Sequence, residues 1–226
     1  MLRKLLATIG LASAATAGAA PPYAPYSSEA ANAIYNLLFC DNPSAFLAKP
    51  GEVAVPWQAT LGSIPQDIEA LRALATDHEQ EGRVRYLAYQ QLRNIGQPVP
   101  SRQLLGVIVE VPLAGGLDAL AAYSEGGVRY LNQNGKIAVV EGHPTFAQLV
   151  QALFAASQPV ISAIGPWKEA RRAPPDRGNI RLTFLASDGL YFGEGPMTVM
   201  QREEMAAPVI QKATDLLQAV VATVTK

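Results

Sequence analysis

Cysteine and histidine are scarce in this chain of 226 residues, which contains one cysteine and two histidines. A single cysteine excludes a disulfide bond within the chain and a zinc cluster built on cysteine ligands. Two histidines leave little for a histidine-rich metal site. We therefore expect no metal site and no cofactor.

Charge is also sparse, because charged residues make up 16% of the chain and the formal net charge is −1. Binding to nucleic acid ordinarily needs a basic surface that meets the phosphates. The run RVRYLAYQQLR at 83–93 interleaves arginine with tyrosine, but neighbouring acidic residues offset its charge. We interpret this run as a solvated helix face with half-buried aromatic rings, and we expect no nucleic-acid partner.

The first residues follow the pattern of a secretory signal peptide. Residues 3–4 are basic, residues 5–15 are mostly apolar, and Ala-Gly-Ala at 17–19 has the small side chains of a cleavage site. The apolar stretch is too short and too diluted to span a membrane stably. The pattern predicts a signal peptide over 1–19, a flexible linker over 20–27, and a periplasmic or secreted protein. The alternative is an alanine-rich tail on a cytoplasmic protein.

From residue 28 to residue 97 the apolar side chains recur at helical spacing. Ile34 and Leu38 belong to the first such stripe. Ser63 and Gln66 have the spacing of a capping box, which predicts the start of another helix. This part of the chain therefore predicts a helical N-terminal region.

From residue 104 onward the period of the pattern changes to two. The run LLGVIVEV predicts a strand that is apolar on nearly both sides, and three further strand patterns follow it. Asn134-Gly135 is a dipeptide typical of hairpin turns. A helical pattern begins near residue 145, and we expect Pro159 to kink or split that helix.

Collected, these patterns predict an α+β fold. The helical region over 28–97 is followed by the order ββββαββα over 104–226, which we interpret as one antiparallel sheet with helices packed on it. A parallel nucleotide-binding sheet would need regular βαβ crossovers, and this order lacks them. With 49% hydrophobic residues the chain can bury a large core, so we expect 28–226 to form one compact unit.

The stretch FLASDGLYFGEGPM at 184–197 looks most like a binding motif. As a phosphate loop it lacks a third glycine, Glu194 would repel an anion, and Pro196 removes a backbone donor. As a hairpin it needs a turn at Asp188-Gly189, which would place Phe184 opposite Gly193. We interpret the stretch as turn chemistry that leads into a helix.

The body of the chain also contains the segments NAIYNLLFCDN, LLGVIVEV, RYLNQNGK, AIGPW and NIRLTFLASDGLYFGEGP, spread over residues 32–220. Together they resemble a family of uncharacterised bacterial proteins, and the resemblance implies no activity and no functional residue. The order of strands and helices is also similar to type III secretion chaperones and, less closely, to roadblock-like domains. That similarity concerns topology alone, which does not determine function.

Cys40 is a candidate nucleophile because it is the chain's single thiol. Catalysis would need a base such as His78 or His143 to hold the sulfur as a thiolate. The position of Cys40 at the end of an apolar helical stripe is more typical of a buried structural thiol.

The run DHEQE at 77–81 resembles a cluster of metal ligands but lacks the HExxH spacing. We interpret its charges through two ion pairs at i,i+4 on an exposed helix face, Glu79–Arg83 and Glu81–Arg85.

Glu110 and Arg129 are candidate binding residues, because each lies in a mostly apolar strand. If both lie on one buried face, the cost of burying their charges favours pairing or a ligand pocket. Exposure at a strand edge is the interpretation we favour. Trp57 and Trp167 each follow a proline and either pack the helical region onto the sheet, which we favour, or anchor a partner.

Two classes of function remain. The first is an exported, non-catalytic binding or protein-interaction domain, whose partner is a protein or a small molecule. The second is a small hydrolase or transferase that uses Cys40, or Glu110, with His143. Convergence of Cys40 with a histidine in a cleft would favour the enzyme, and an exposed patch or uncovered sheet face would favour the binding domain.

Overall fold

The computed structural model of the chain describes residues 22–224, so the predicted signal peptide lies outside the described residues. The helices are α1 (Glu29–Leu37), α2 (Pro56–Gly62), α3 (Ile68–Thr76), α4 (Gly82–Asn94), α5 (Pro144–Ala163), α6 (Met197–Met200) and α7 (Ala206–Val224), with a short 3-10 helix at Pro43–Phe46. The strands are β1 (Leu104–Leu113), β2 (Gly116–Tyr123), β3 (Val128–Leu131), β4 (Ile137–Val140), β5 (Asn179–Ala186) and β6 (Gly189–Pro196).

The strands form one antiparallel sheet in the order β4-β3-β2-β1-β5-β6. The first four strands make a meander, and α5 carries the chain across so that β5 pairs with the other side of β1. The α+β class, the helical N-terminal region and the antiparallel sheet are therefore confirmed.

One face of the sheet, here called the apolar face, is covered by α5 and α7. Alternate residues of the strands, such as Val107 and Leu182, pack there against Leu153 and Leu216 from the two helices. Of the two effects predicted for Pro159, the split is absent, because α5 runs through it from Pro144 to Ala163. Pro159 and Ala155, whose carbonyl loses its helical partner at the proline, are both exposed, so water can reach that carbonyl.

The opposite face, here called the mixed face, is covered by α1 to α4 and by the irregular segment at 164–178. Ile108 and Tyr123 from the sheet pack there against Tyr35 and Leu87 from the helices. The first residue of α4, Gly82, lies so close to the sheet that a Cβ atom would clash with the carbonyl oxygen of Leu105. The mixed face also holds buried charges, which are described below.

The predicted capping box is wrong in position. Asp67 caps α3 by accepting a hydrogen bond of 3.0 Å from the Ala70 N–H. The Ser63 hydroxyl instead donates to the Thr60 carbonyl at 2.9 Å, at the end of the preceding helix.

The stretch at 184–197 is a hairpin that leads into a helix, as predicted, but its register differs. Ala186 pairs with Gly189, so the turn residues are Ser187 and Asp188, and Phe184 lies opposite Tyr191 instead of Gly193. Ser187 is fully buried, its hydroxyl donates to the Pro100 carbonyl at 2.6 Å, and its N–H donates to the Gln103 carbonyl at 2.9 Å. These tertiary bonds set the register, because they fix Ser187 at the turn.

Candidate functional site

Cys40 is a buried thiol with no base beside it. Its side chain is fully buried in the core of the mixed face, with the sulfur 3.9 Å from the Leu37 carbonyl oxygen. Burial raises the pKa of the thiol far above its usual value. His78 is exposed in the turn after α3, and the His143 ring packs on Phe146, which belongs to the apolar face. The structure brings neither histidine to Cys40.

Residues 77–81 are held by local bonds. The Asp77 carboxylate accepts from the Glu79 N–H at 3.0 Å and from the Gln80 side chain at 3.2 Å. Within residues 22–224, no three side chains of histidine, cysteine, aspartate or glutamate are grouped so as to hold a metal ion.

The predicted i,i+4 ion pairs are wrong, because α4 begins only at Gly82. Glu81 pairs with Arg83 at 2.6 Å and with Arg129 at 3.2 Å, so its carboxylate faces the sheet. Arg85 is 3% exposed and donates to the Ala75 carbonyl at 3.1 Å. The run at 83–93 is therefore no solvated face with half-buried rings, since its two tyrosines are buried as well.

Arg129 is buried on β3, so the favoured interpretation of an exposed strand edge is wrong for it. Its guanidinium lies between Glu81, at 3.2 Å, and Glu141, at 2.5 Å. These two carboxylates come from the start of α4 and from the end of β4. Arg129 therefore fastens the helical layer to the outer part of the sheet.

Glu110 is fully buried at the centre of β1, and exposure is wrong for it too. One carboxylate oxygen accepts a hydrogen bond of 2.6 Å from the Tyr35 hydroxyl, and the other lies 3.6 Å from the Arg181 guanidinium. Loss of water on burial raises the pKa of the Glu110 carboxyl. Glu110 and Arg129 share the mixed face, but each has its own partners.

Arg181 lies directly across from Glu110 in the pairing of β5 with β1. It also binds Glu194 at 2.7 Å and donates to the carbonyl oxygens of Arg172, at 3.3 Å, and Ala173, at 2.6 Å. The neighbouring cavity has a volume of about 10 Å³, enough for one water molecule at most. This cluster is closed to a ligand and holds the irregular segment against the sheet.

Both tryptophans pack within the molecule, which is the interpretation we favoured. Trp57 lies on α2, half-buried against the core of the mixed face. The backbone N–H of Trp167 donates to the Leu190 carbonyl at 2.7 Å, and the indole ring meets the Phe192 ring edge-on at a centroid distance of 5.0 Å. The irregular segment thereby extends the sheet beyond β6.

A cleft of about 410 Å³ opens between α4, the irregular segment and the turn of the β5–β6 hairpin, and we call it the α4 cleft. Four of its residues lie on one face of α4, because they recur at i, i+4, i+7 and i+8: Tyr86, Gln90, Arg93 and Asn94. Residues 167–171 and 188–190 form the facing walls, and Phe39 and Asp41 close the end.

The charges at the α4 cleft are fixed by neighbouring groups. Arg171 is 5% exposed, binds Asp41 at 2.5 Å and lies over the Phe39 ring at 4.0 Å. Arg93 donates to the Ser187 carbonyl and lies over the Tyr86 ring at 5.4 Å. Burial raises the pKa of Tyr86 to about 12, so its hydroxyl stays protonated at neutral pH.

Two residues of the cleft wall, Gln90 and Asp188, each carry a buried side-chain oxygen to which no described residue donates a hydrogen bond. The other oxygen of Asp188 accepts from the hydroxyls of Ser101 and Tyr191, each at 3.0 Å, so the carboxylate is fixed in place. An unsatisfied buried acceptor costs about 1–3 kcal/mol. Two such atoms at one cleft therefore need an explanation.

A second concave surface, an apolar groove of about 640 Å³, runs along α1 and is lined mainly by apolar groups. Its rim includes residues 22–24, which precede α1 and lie outside regular secondary structure. The Asn36 side chain binds the backbone N–H and carbonyl of Tyr23 at 3.0 and 2.7 Å, and Asn32 binds those of Tyr26, both at 2.8 Å. These four hydrogen bonds hold Tyr23 and Tyr26 against α1, whereas we predicted a flexible linker over 20–27.

Sequence reasoning missed the α4 cleft. The signal on α4 was present, since Tyr86, Gln90 and Arg93 recur at helical spacing inside the run that we interpreted as a solvated face. Asp188 was assigned to turn chemistry alone. Nothing in the sequence indicated that the turn and the helix would lie together, because Arg93 and Ser187 are 94 residues apart.

Comparison with protein-family models, with curated proteins and with solved structures finds no match to this chain. The resemblance to a family of uncharacterised bacterial proteins therefore stays a prediction. None of the helices within residues 22–224 is long and apolar enough to cross a membrane.

Proposed function

We propose that this chain is an exported, non-catalytic binding domain that takes a small polar ligand in the α4 cleft. The observation that carries the proposal is a cleft of about 410 Å³ in which Arg93, Arg171 and Asp188 are held in place by hydrogen bonds and an ion pair with their neighbours.

The dimensions and lining of the α4 cleft support this assignment. Ligand pockets commonly span about 300–1,000 Å³ and combine aromatic walls with a few fixed polar groups. The α4 cleft has about 410 Å³, aromatic residues in Tyr86 and Trp167, and polar groups held by their neighbours. Such preorganised groups bind without paying much to order side chains.

The apolar groove along α1 supports a binding role less well. The side-chain amides of Asn36 and Asn32 are already hydrogen-bonded to the backbone of residues 23 and 26. No polar group in the described part of the groove is left buried and unsatisfied. We therefore assign the ligand to the α4 cleft.

The arrangement of the catalytic candidates favours a non-catalytic role. Cys40 is fully buried with its thiol protonated, and His143 packs on the other side of the sheet. Glu110 is bound to Tyr35 within the core of the mixed face, away from His143. A nucleophile needs a base within hydrogen-bond reach, and neither combination provides one.

Ligand-detected NMR with small polar compounds of differing charge tests the proposal. Gln90→Met keeps the shape of the side chain and removes the buried acceptor, so we expect equal or higher stability, by up to about 1 kcal/mol, and weaker ligand binding. Gln158→Met, on the exposed surface of α5, is the matched control and should change neither. Compounds that bind wild-type protein and Gln90→Met equally well, or an absence of any binding compound, would contradict the proposal.

Export rests on the sequence pattern and has its own test. We expect protein isolated from its native host to begin near residue 20, which intact-mass measurement on each cell fraction would show. A full-length species in the cytoplasmic fraction would contradict export and would leave the binding role open to the NMR test.

A further inference from the structure

We propose that residues 22–27, here called the N-terminal strap, hold one wall of the α4 cleft in place and that Tyr23 is the positioning residue of this strap. The inference rests on the proposed function, since it concerns the same cleft, and it assigns a role to a part of the chain outside the cleft. None of residues 22–27 lines the cleft. They precede α1, whereas the wall belongs to the irregular segment at 164–178.

The N-terminal strap runs along α1 in the opposite direction and is bound to it at two positions. The Asn32 side chain binds the backbone N–H and carbonyl of Tyr26, both at 2.8 Å, and the Asn36 side chain binds those of Tyr23, at 3.0 and 2.7 Å. Asn32 and Asn36 are about one helical turn apart, so they lie on the same side of α1. These bonds place Tyr23 beside the last turn of α1.

From this position Tyr23 contacts Arg171, in the irregular segment, in two ways. Its hydroxyl donates to the Arg171 carbonyl at 2.8 Å, and the Arg171 guanidinium lies over its ring at 4.8 Å from the centroid. The Asn36 oxygen that accepts from the Tyr23 N–H also accepts from the Arg171 guanidinium, at 3.0 Å. These contacts tie the N-terminal strap to a residue 148 positions further along the chain.

Hydrogen bonds to its backbone hold the irregular segment at different points. The backbone N–H of Trp167 donates to the Leu190 carbonyl at 2.7 Å, and Arg181 donates to the carbonyls of residues 172 and 173 at 3.3 and 2.6 Å. Residues 168–175 belong to no helix or strand, so their carbonyl oxygens depend on such donors. Tyr23 supplies the donor between these two points, at Arg171.

Arg171 connects the N-terminal strap to the α4 cleft, because its side chain lines the cleft and is 5% exposed. Its guanidinium also binds Asp41, another lining residue, at 2.5 Å. On the same wall, the Trp167 indole N–H donates at 3.1 Å to the carbonyl of Ala170, the residue next to Arg171. Loss of the Tyr23 side chain should therefore loosen residues 170 and 171 and free the indole N–H, while the backbone bond of Trp167 to Leu190 stays.

Trp167 reports on this wall without a known ligand. Trp57 lies on α2 and does not line the cleft, so Trp57→Phe leaves Trp167 as the single tryptophan of the chain. In this background we expect Tyr23→Ala to raise the Stern–Volmer constant for quenching by acrylamide about twofold or more, because local loosening exposes the half-buried ring. By NMR, solvent exchange should accelerate at the Trp167 indole N–H and stay unchanged at its backbone N–H.

Two further variants separate positioning from general stability. Asn32→Ala removes the bonds to Tyr26 but leaves the contacts of Tyr23 with Arg171, so it should change neither the quenching nor the indole exchange. Tyr23→Phe keeps the ring under the guanidinium and loses the hydroxyl, so its effect should lie between wild type and Tyr23→Ala. Urea unfolding checks that each variant is folded. If Tyr23→Ala and Tyr23→Phe match Asn32→Ala in quenching and exchange, the inference is overturned.

The outcomes also separate this inference from the proposed function. A compound that binds the α4 cleft should bind Tyr23→Ala about tenfold more weakly and Asn32→Ala as tightly as wild type, because a loosened wall is no longer preorganised. Equal binding to Tyr23→Ala and wild type would overturn the role of the strap and keep the binding role. If no compound binds in a manner that depends on Gln90, the proposed function fails, and the response of Trp167 still decides whether the strap holds the wall.

Discussion

The two faces of the sheet are buried by different means. The apolar face carries mostly apolar side chains, with Asp118 accepting a hydrogen bond of 2.9 Å from the Tyr130 hydroxyl, and is covered by the two long helices α5 and α7. The mixed face carries Glu110, Arg129, Arg181 and Thr183 among its apolar residues and is covered by shorter helices and the irregular segment at 164–178. Long helices satisfy their own backbone groups, whereas irregular chain does not.

Buried and half-buried arginines supply donors to backbone carbonyls on the mixed face. Arg181 donates to the carbonyls of Arg172 and Ala173, Arg85 donates to that of Ala75, and Arg93 donates to that of Ser187. Covering a sheet with loops therefore places arginine charges between the layers. Each guanidinium group then needs a carboxylate, an aromatic ring or a carbonyl oxygen as its partner. Four predictions test this difference between the faces.

The largest effect is expected at Arg181. Arg181→Met should lower the free energy of unfolding by about 3–5 kcal/mol, because it leaves Glu110 buried without a cation and two carbonyls without a donor. Urea unfolding measures the change. Arg202→Met, at an exposed position after α6, is the control and should be nearly neutral. If Arg181→Met costs no more than this control, the arginine does not support the irregular segment.

On the apolar face, the corresponding change is Leu153→Ala. We expect a loss of about 3 kcal/mol, from lost transfer free energy and from the cavity, since Leu153 is 1% exposed between α5 and the sheet. The loss should be independent of pH between 4 and 8, because the change removes an apolar side chain and no titratable group. Gln151→Ala, exposed on the same helix, is the comparison, and a loss that varied strongly with pH would show that the faces are not separated as described.

Cys40→Ala should have a smaller effect, about 1–2 kcal/mol, because it removes one buried sulfur and leaves a small void. Native protein should react with an alkylating reagent far more slowly than protein unfolded in urea, since burial raises the pKa of the thiol and blocks access. Labelling of native protein as fast as that of unfolded protein would contradict a structural thiol.

The smallest effect is expected for Glu110→Gln, at about 1 kcal/mol or less, with a distinctive dependence on pH. The folded pKa of Glu110 is raised above its unfolded value near 4.5, so its contribution to stability is fully present below that value and is lost as pH rises through the folded pKa. The variant should therefore gain on wild type between pH 4 and pH 8. A difference between the two proteins that stays constant over this range would contradict the raised pKa.

The same contrast explains how much could be predicted from the sequence. The helices α5 and α7 follow from a period of 3.6, which reports burial on one side, and the strands follow from short, mostly apolar runs with a period of 2. The partners of Glu110 do not, because Tyr35 and Arg181 lie 75 and 71 residues away along the chain, and no local pattern records such pairing. The predicted register of the β5–β6 hairpin was wrong for the same reason, since Ser187 is fixed by hydrogen bonds to residues 100 and 103. The α4 cleft also joins distant segments and was missed.

Asn32 and Asn36 on α1 bind the backbone of Tyr26 and Tyr23, and we call this pair the asparagine clamp. The clamp has a consequence for the order of events during maturation. A peptide bond cleaved after Ala19, as predicted, would lie four residues before Tyr23, which is about 14 Å of extended chain at most. Tyr23 and Tyr26 are bound through their backbones to Asn36 and Asn32 once the domain has folded. A protease that needs extended chain on both sides of its cleavage site would then compete with the clamp for the same residues. Cleavage would be fastest before the N-terminal segment docks, so removal of the leader would precede the last step of folding.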